Sequence, residues 1–154
     1  MNGLGWYHEG SILTTGLDSA GNMRMSWDDH IKELQKRGAD EACICGHDGN
    51  MWAKSAGFNA SQREIATVIK AAKDEPISDD EKLELDKVPF MKIDSLKGEH
   101  TGCNLVSKNS GEKAFCCVAC SNKAVVFVTK TGQHQRKAVG ICEYQVKYLK
   151  DASY

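Results

Sequence analysis

Seven cysteines are the residues of this sequence with the most obvious chemical potential, and four of them form two closely spaced pairs. Cys43-x-Cys45 and Cys117-x-x-Cys120 have spacings that a zinc site or a redox dithiol can use. Both pairs lie in apolar runs typical of strands, where alternate side chains point to opposite faces of a sheet. Cys43 and Cys45 would share a face and Cys117 and Cys120 would point apart. We therefore expect small buried hydrophobic residues, with a cysteine-rich metal or redox protein of the cytosol as the alternative.

The histidines form no catalytic pattern. His47, His100 and His134 are isolated in predicted turns, and no serine lies in a nucleophile-type turn sequence. A phosphate-binding glycine loop of the usual spacing is also missing from the sequence. We therefore expect a protein that is not an enzyme and that uses neither a metal nor another cofactor.

Aromatic residues form the third group, and the last predicted helix carries them in an unusual pattern. At about 100° per residue, one stripe of this helix consists of Val139, Cys142, Val146 and Leu149, and a second stripe consists of Ile141, Tyr144 and Tyr148. A helix on a sheet needs only one apolar face. The second stripe must therefore pack on another helix or remain open as a binding surface.

Tryptophan and tyrosine together suit a particular ligand. Their flat rings can stack on proline rings, and their N–H and O–H groups can donate hydrogen bonds to prolyl carbonyls. A polyproline II helix loses little entropy on binding and keeps its carbonyls free to accept. Trp27 and Trp52 are candidates for such a surface, although their spacing is equally compatible with core positions.

The elements that must position these residues can be predicted in order along the chain. Ser26 and Asp29 resemble a capping box and predict a helix over about 27–37 that stops at Gly38. The other predicted elements are strands at 41–46 and 51–54 around a turn at His47–Asn50, a helix from Ser61, strands at 90–93, 103–108, 114–120 and 124–130 with turns at 109–112 and 121–123, and a helix over about 135–151. This order predicts an α+β fold, an antiparallel sheet with helices on its faces.

Composition limits the domain count and the partners. The 154 residues suit one domain, and the net charge of −1 gives no overall attraction to nucleic acid. Residues 74–87 carry seven acidic and two basic residues, which indicates an exposed loop. Residues 1–24 lack a signal peptide and any lasting periodicity, so we expect a flexible N-terminal extension before a domain at 25–154.

Several segments in a specific order resemble the profilin family. These are Met25-Ser26-Trp27 with the helix after it, the strand–turn–strand CICGHDGNMWAKSAGF, the helix from Ser61, the hairpins of DSLKGEHTGCNLVSKNSGEKAFCCVACSNKAVVFVTKTG, and the last helix with Tyr148-Leu149 and Tyr154. The resemblance covers residues 25–154. It implies a central antiparallel sheet with the N- and C-terminal helices packed together on one face and a further helix on the other.

The resemblance also implies two ligand surfaces. The residues at the positions of the family's proline-rich peptide groove are Trp27, His30, Trp52, Tyr148, Leu149 and Tyr154, with His30 where many profilins have tyrosine. The residues at positions of the family's actin surface are Ile65, Lys70, Lys108, Arg136 and Val139. Val106 replaces an arginine of mammalian profilins, and the acidic segment 74–87 lies where they carry basic residues, so we expect weaker or altered actin binding.

The family further implies a monomer in the cytoplasm and cytoskeleton that regulates actin polymerisation. Its expected partners are monomeric actin, proline-rich proteins and phosphoinositide lipids, but no nucleic acid. Residues 92–154 carry ten basic and five acidic residues, from which a patch for phosphoinositides can form.

Overall fold

The computed structural model describes residues 25–108, 114–132 and 135–154, together with the backbone of 16–17 and 23–24. Its elements are β1 (Gly16–Leu17), β2 (Met23–Arg24), α1 (Trp27–Lys36), β3 (Glu41–Gly46), β4 (Met51–Lys54), α2 (Gln62–Ala72), β5 (Glu84–Leu85), β6 (Val88–Ser95), β7 (Thr101–Ser107), β8 (Ala114–Cys120), β9 (Ala124–Thr131) and α3 (Gln135–Asp151). None of the helices among these residues is long and apolar enough to cross a bilayer.

Seven strands form one antiparallel sheet in the order β4-β3-β9-β8-β7-β6-β5. The short pair β1–β2 forms a separate antiparallel ladder. The run from β6 to β9 is the meander that the sequence predicts, and each consecutive pair of strands is antiparallel. The predicted antiparallel α+β fold is therefore confirmed.

The two faces of the sheet carry two hydrophobic cores. On the helix-pair face, α1 and α3 cover small and branched side chains of β3, β8 and β9, including Ala42, Cys117 and Val126. On the α2 face, α2 covers the alternate residues of the same strands, including Cys43, Cys116 and Phe127. Period-two alternation therefore separates the cores, and the predicted placement of helices on both faces is confirmed.

Both predicted N-terminal helix signals form capping boxes. Ser26 accepts a hydrogen bond from the Asp29 N–H, and the Asp29 carboxylate accepts one from the Ser26 N–H, both at 3.1 Å. Ser61 and Glu64 repeat the arrangement at the start of α2. These bonds satisfy amide groups that the first helical turn leaves without partners.

The acidic segment differs from its prediction as an exposed loop. It contains β5, and Leu85 within it is buried against the α2 face. The Glu64 carboxylate also accepts hydrogen bonds from the N–H groups of Asp86 and Lys87. A leucine among charged residues gives no periodic signal, and its burial depends on a contact with α2 that is distant in sequence.

Three predictions lie outside the described residues. They are the turn at 109–112, His134, and the N-terminal extension except for the backbone of β1 and β2.

Candidate ligand-binding surfaces

The terminal helices α1 and α3 lie side by side and run in opposite directions. At one end, the Nε2 of Gln145 donates a buried hydrogen bond of 3.1 Å to the Nδ1 of His30, across 115 residues of sequence. At the other end, the guanidinium of Arg37 lies 3.8 Å from the ring centroid of Tyr144. The second stripe of α3 thus lies against α1 and buries Ile141, while Tyr144 and Tyr148 stay about half-exposed, so the stripe combines the two outcomes that the sequence left open.

Five rings meet where α1 begins and α3 ends: Trp27, His30, Trp52, Tyr148 and Tyr154, which we call the aromatic cluster. The ring centroids of Trp27 lie 5.5 Å from His30, 4.8 Å from Trp52 and 5.3 Å from Tyr154. The His30 and Tyr148 centroids are 5.5 Å apart. All five belong to the six residues predicted for the groove, and the fold brings them together.

The position of Trp27 follows from the helix cap. Trp27 is the first residue of α1, directly after the capping serine, so the capping box fixes the backbone that carries the indole. Its side chain is only 3% exposed, and its Nε1 has no acceptor among the described residues. A buried donor without an acceptor is uncommon in folded proteins.

Trp52 owes its position to a β-bulge in the first hairpin. Ile44 pairs with Ala53 and Cys45 pairs with Met51, so Trp52 is the extra residue on β4. Because of the bulge, Trp52 and Ala53 both join the core on the helix-pair face, although neighbours on a regular strand point apart. The indole lies against Gly46, where a Cβ would be 3.4 Å from the Trp52 ring and 2.8 Å from the Oδ1 of Asp48.

Exposure divides the predicted groove residues into two groups. Tyr148 is 45% exposed and Tyr154 is half-buried, so their rings can contact a ligand. Trp27, His30 and Trp52 are buried, and Leu149 is wholly so. The expectation that the indoles lie open to solvent is therefore corrected: in this conformation they form the floor beneath the tyrosines, and Leu149 supports that floor from the core.

Burial also determines the charge of His30. Desolvation lowers the pKa of the imidazole, although the neighbouring Asp29 and Glu33 carboxylates act in the opposite direction. A neutral ring is also what the Gln145 hydrogen bond requires, because Nδ1 must accept.

Sequence reasoning missed Gln145. Its spacing from Ile141 and Tyr148 places it on the second stripe, and this signal could have revealed it.

A second surface lies on the part of the helix-pair face that no described helix covers. Met91 on β6, Val106 on β7 and Phe115 on β8 are direct cross-strand neighbours and so share this face. Met91 is 48% exposed, Val106 and Phe115 are half-buried, and Ile93, two residues after Met91 at an irregularity of β6, is 40% exposed. We call these four residues the β6–β7 patch. Large exposed apolar residues that lie together mark binding surfaces more often than isolated ones do.

Two of the predicted actin residues lie where β7 and β9 end, which we call the basic edge, and a third lies further along α3. β7 and β9 run in the same direction on either side of β8, so Lys108 after β7 and Arg136 early in α3 are at the edge where both strands end. Both side chains are exposed. Val139, half-buried, packs against the core of the helix-pair face.

The two predicted actin residues on α2 are placed differently. Ile65 is 1% exposed in the core of the α2 face, so the expectation that it contacts a partner is corrected. The Nζ of Lys70 lies 2.8 Å from the Glu81 carboxylate, and this bond is the main cause that lowers the pKa of Glu81 to about 2. The acidic segment therefore neutralises the charge that was predicted to face a partner.

The cysteines lie in the two cores of the sheet. All seven are buried and free. Desolvation raises the pKa of Cys103 to about 12 and that of Cys120 to about 11, and it also raises the pKa of Cys43, Cys116 and Cys142 well above the ordinary value. Thiols with raised pKa values stay protonated and make poor nucleophiles and metal ligands. The metal or redox alternative gains no support.

Comparison with known sequences identifies the same family throughout. The sequence model of the Profilin family matches residues 25–154. A profilin of Bombyx mori is 40% identical over 55 residues, which are 34% of this chain and 44% of that protein. A profilin of Drosophila melanogaster is 43% identical over 47 residues, 29% of this chain and 37% of that protein. The matched segments thus span less than half of the length of either relative.

Solved structures share the fold at lower identity. Rat profilin 2a aligns with a TM-score of 0.67 at 23% identity, over 83% of this chain and 96% of its own. Mouse profilin IIa in complex with a double repeat from the FH1 domain of mDia1 has a TM-score of 0.66 at 21% identity, covering 83% and 99%. LokiProfilin2 in a complex with rabbit actin has a TM-score of 0.55 at 14% identity, covering 78% and 92%.

Proposed function

This chain belongs to the profilin family, and on that premise we propose that it binds monomeric actin and proline-rich ligands on separate surfaces. It would act through affinity, without catalysis, and would regulate actin polymerisation in the cytoplasm and cytoskeleton. The proposed ligand surfaces are the aromatic cluster for proline-rich segments and the β6–β7 patch with its basic edge for actin.

The observation that carries the proposal is the aromatic cluster itself. Rings from the start of α1, from β4 and from the end of α3 contact one another at centroid distances of 4.8–5.5 Å. The Tyr148 and Tyr154 rings at its surface offer flat faces for proline rings, and their hydroxyl groups can donate to prolyl carbonyls. Mouse profilin IIa, which has the same fold, was solved with an FH1 repeat.

A polyproline titration tests the first surface. We expect the tryptophan fluorescence of the protein to change as a polyproline peptide saturates it, and we expect the protein to be retained on immobilised polyproline. A matched peptide with alanine in place of proline serves as the control. Absence of both the fluorescence change and the retention would refute the proposed groove.

The proposed actin surface is supported by exposure and charge. The β6–β7 patch lies open beside α3, and Lys108 and Arg136 lie at the adjoining edge without a partner carboxylate in the described salt bridges. Actin is the partner of the related fold in LokiProfilin2. The apolar centre and basic edge suit a protein interface, since such interfaces have an apolar core and a polar rim.

Spontaneous polymerisation of actin tests the second surface. We expect the protein to slow it, and we expect Lys108→Glu and Arg136→Glu each to weaken this effect. Lys70→Glu is the matched control, because Lys70 is already paired with Glu81 on the other side of the sheet. If Lys70→Glu weakens the effect and the two edge variants do not, the actin surface is on the α2 face.

The two surfaces are connected through α3, which begins at the proposed actin edge and ends at the aromatic cluster. This arrangement would allow one molecule to hold an actin monomer and a proline-rich protein simultaneously. Binding to phosphoinositides stays a prediction from the basic residues of 92–154.

A further inference from the structure

The indole N–H of Trp27 is the starting point, because it is buried and lacks an acceptor. Burying a donor without an acceptor is costly, since the bond to water is lost and not replaced. The proposed ligand is rich in carbonyl groups that could accept this bond, but the indole nitrogen is buried from solvent. Something that covers Trp27 must move before a ligand can contact it.

Tyr154 is a residue that covers Trp27. The two rings meet edge to face with centroids 5.3 Å apart, and Tyr154 packs on the core cluster that contains Trp27. Tyr154 follows α3 after a chain reversal: Ser153 has φ of +72°, and the Tyr154 N–H bonds to the Leu149 carbonyl at 2.7 Å. This turn directs Tyr154 back towards the first residue of α1, Trp27.

The β8–β9 turn holds Tyr154 in that position. The Ser121 hydroxyl donates to the Tyr154 carbonyl oxygen at 2.8 Å, and the Lys123 N–H donates to the same oxygen. The Lys123 ammonium lies 5.5 Å from the Tyr154 ring centroid. Ser121 is itself buried, and its carbonyl oxygen contacts the His47 ring nitrogen at 2.9 Å. Ser121 and Lys123 thus belong to a turn between two strands of the sheet, while Tyr154 belongs to a short segment beyond the last helix.

We propose that Ser121 is a positioning residue that keeps Tyr154 closed over Trp27, so that a proline-rich ligand must break this closure to reach the indole. The inference rests on the proposed proline-rich ligand. Ser121 touches no ligand; it acts through the Tyr154 carbonyl. Opening breaks the bonds that the Ser121 hydroxyl and the Lys123 N–H donate to the Tyr154 carbonyl, and it gives the Trp27 N–H access to a carbonyl acceptor.

Ser121→Ala tests the closure because it removes the hydroxyl that donates to the Tyr154 carbonyl; the same hydroxyl also accepts from the Ala124 N–H within the turn. The backbone bond from Ser121 N–H to the Ala124 carbonyl, 2.7 Å long, does not depend on the side chain and keeps the turn in place. One neutral hydrogen bond corresponds to about a two- to tenfold change in an equilibrium constant. We therefore expect the open state to gain about two- to tenfold in population, and the polyproline peptide to bind more tightly by the same factor.

The exchange of the Trp27 indole proton with water measures the closure without any ligand. The chain has three tryptophans, so the full-length ¹⁵N-labelled protein gives three indole signals, and the signal missing from Trp27→Phe identifies Trp27. We expect Ser121→Ala to accelerate its exchange about two- to tenfold and Tyr154→Ala to accelerate it further. A merely structural role for Ser121 would lower stability and leave this local exchange unchanged.

Ser107→Ala is the matched control. Ser107 is also buried, and its hydroxyl accepts a hydrogen bond from the Ala114 N–H beside a strand end, far from Tyr154. We expect this variant to keep the wild-type exchange of the Trp27 proton. Equal exchange in Ser121→Ala and wild type, or looser peptide binding by Ser121→Ala, would overturn the closure.

The outcomes separate this inference from the proposed function. If the wild type binds polyproline and Ser121→Ala leaves the indole exchange unchanged, only the closure is wrong. If no variant binds polyproline, the proposed groove and the role of Ser121 toward a ligand both fail, whatever the exchange rates are.

Discussion

The aromatic cluster and the β6–β7 patch lie on the same face of the sheet but expose their apolar atoms in opposite ways. In the cluster, α1 and α3 cover the indoles, and only the tyrosines reach the surface. In the patch, the described helices leave Met91 and Ile93 open. The cluster residues therefore belong to the core and also form the proposed proline-binding surface, whereas the patch residues contribute little to the core. Substitutions in the aromatic cluster should therefore change stability and binding together, whereas substitutions in the β6–β7 patch should change binding with little effect on stability.

Trp27→Ala should have the largest effect, because it removes a buried ring that contacts three other rings. We expect the free energy of unfolding to fall by about 3–5 kcal/mol, the usual cost of truncating a buried aromatic residue, and polyproline binding to disappear. Urea denaturation and peptide titration measure the two effects. A variant that loses binding with an unchanged urea midpoint would show that the indole is not part of the core.

Met91→Glu should separate binding from stability. A carboxylate in the centre of the proposed actin interface would be buried without a partner, so we expect actin affinity to fall at least tenfold, about 1.4 kcal/mol. We expect the free energy of unfolding to stay within about 0.5 kcal/mol, as is usual for exposed sites. Affinity for labelled actin and urea denaturation provide the measurements.

Thr101→Glu is the matched control for that variant. Thr101 is exposed on β7, and the alternation of side chains along the strand places it on the face opposite to that of Val106 in the patch. It should leave actin affinity unchanged. Equal losses of affinity in both variants would mean that charge alone, and not the position of the patch, determines binding.

Tyr148→Ala tests the exposed margin of the cluster. We expect polyproline affinity to fall about three- to tenfold, corresponding to one aromatic stacking contact, with a small loss of stability because the ring is 45% exposed. Tyr144→Ala is the control on the same helix stripe, since Tyr144 is 52% exposed and contacts Arg37 outside the cluster. Equal effects of the two substitutions on affinity would place the ligand along the whole stripe.

The smallest expected effect is the contribution of His30 to the pH dependence of the free energy of unfolding. Its pKa is lowered by burial, so below the ordinary value of 6.5 the unfolded state takes up a proton before the folded state does. The contribution of His30 to stability is therefore complete above pH 6.5 and lost as pH falls through the folded pKa. We expect the wild type to lose less than about 1.4 kcal/mol per pH unit there, and His30→Phe to flatten this dependence in urea titrations between pH 5 and 7. An equally steep loss in His30→Phe would assign the effect to other groups.

Regular elements could be predicted from the sequence because their signals are local. Ser26 and Asp29, three residues apart, predict the start of α1. The strands β3, β4 and β8 have the bounds that were predicted for them. β5 was missed because the burial of Leu85 depends on α2. The patch was missed because exposure of Met91 depends on where α3 lies, which no local pattern records.

By itself, the sequence determined the caps, the alternating strands, the two stripes of α3 and the family, since each depends on neighbouring residues or on their order. The tertiary structure alone decided which rings meet and which of them face water. Trp52 joins the helix-pair core only because a bulge shifts β4 by one residue, and His30 finds Gln145 only because α1 and α3 are antiparallel. Packing between segments distant in sequence sets both outcomes: the spacing along α3 places Gln145 on the second stripe, but it does not say which residue Gln145 meets.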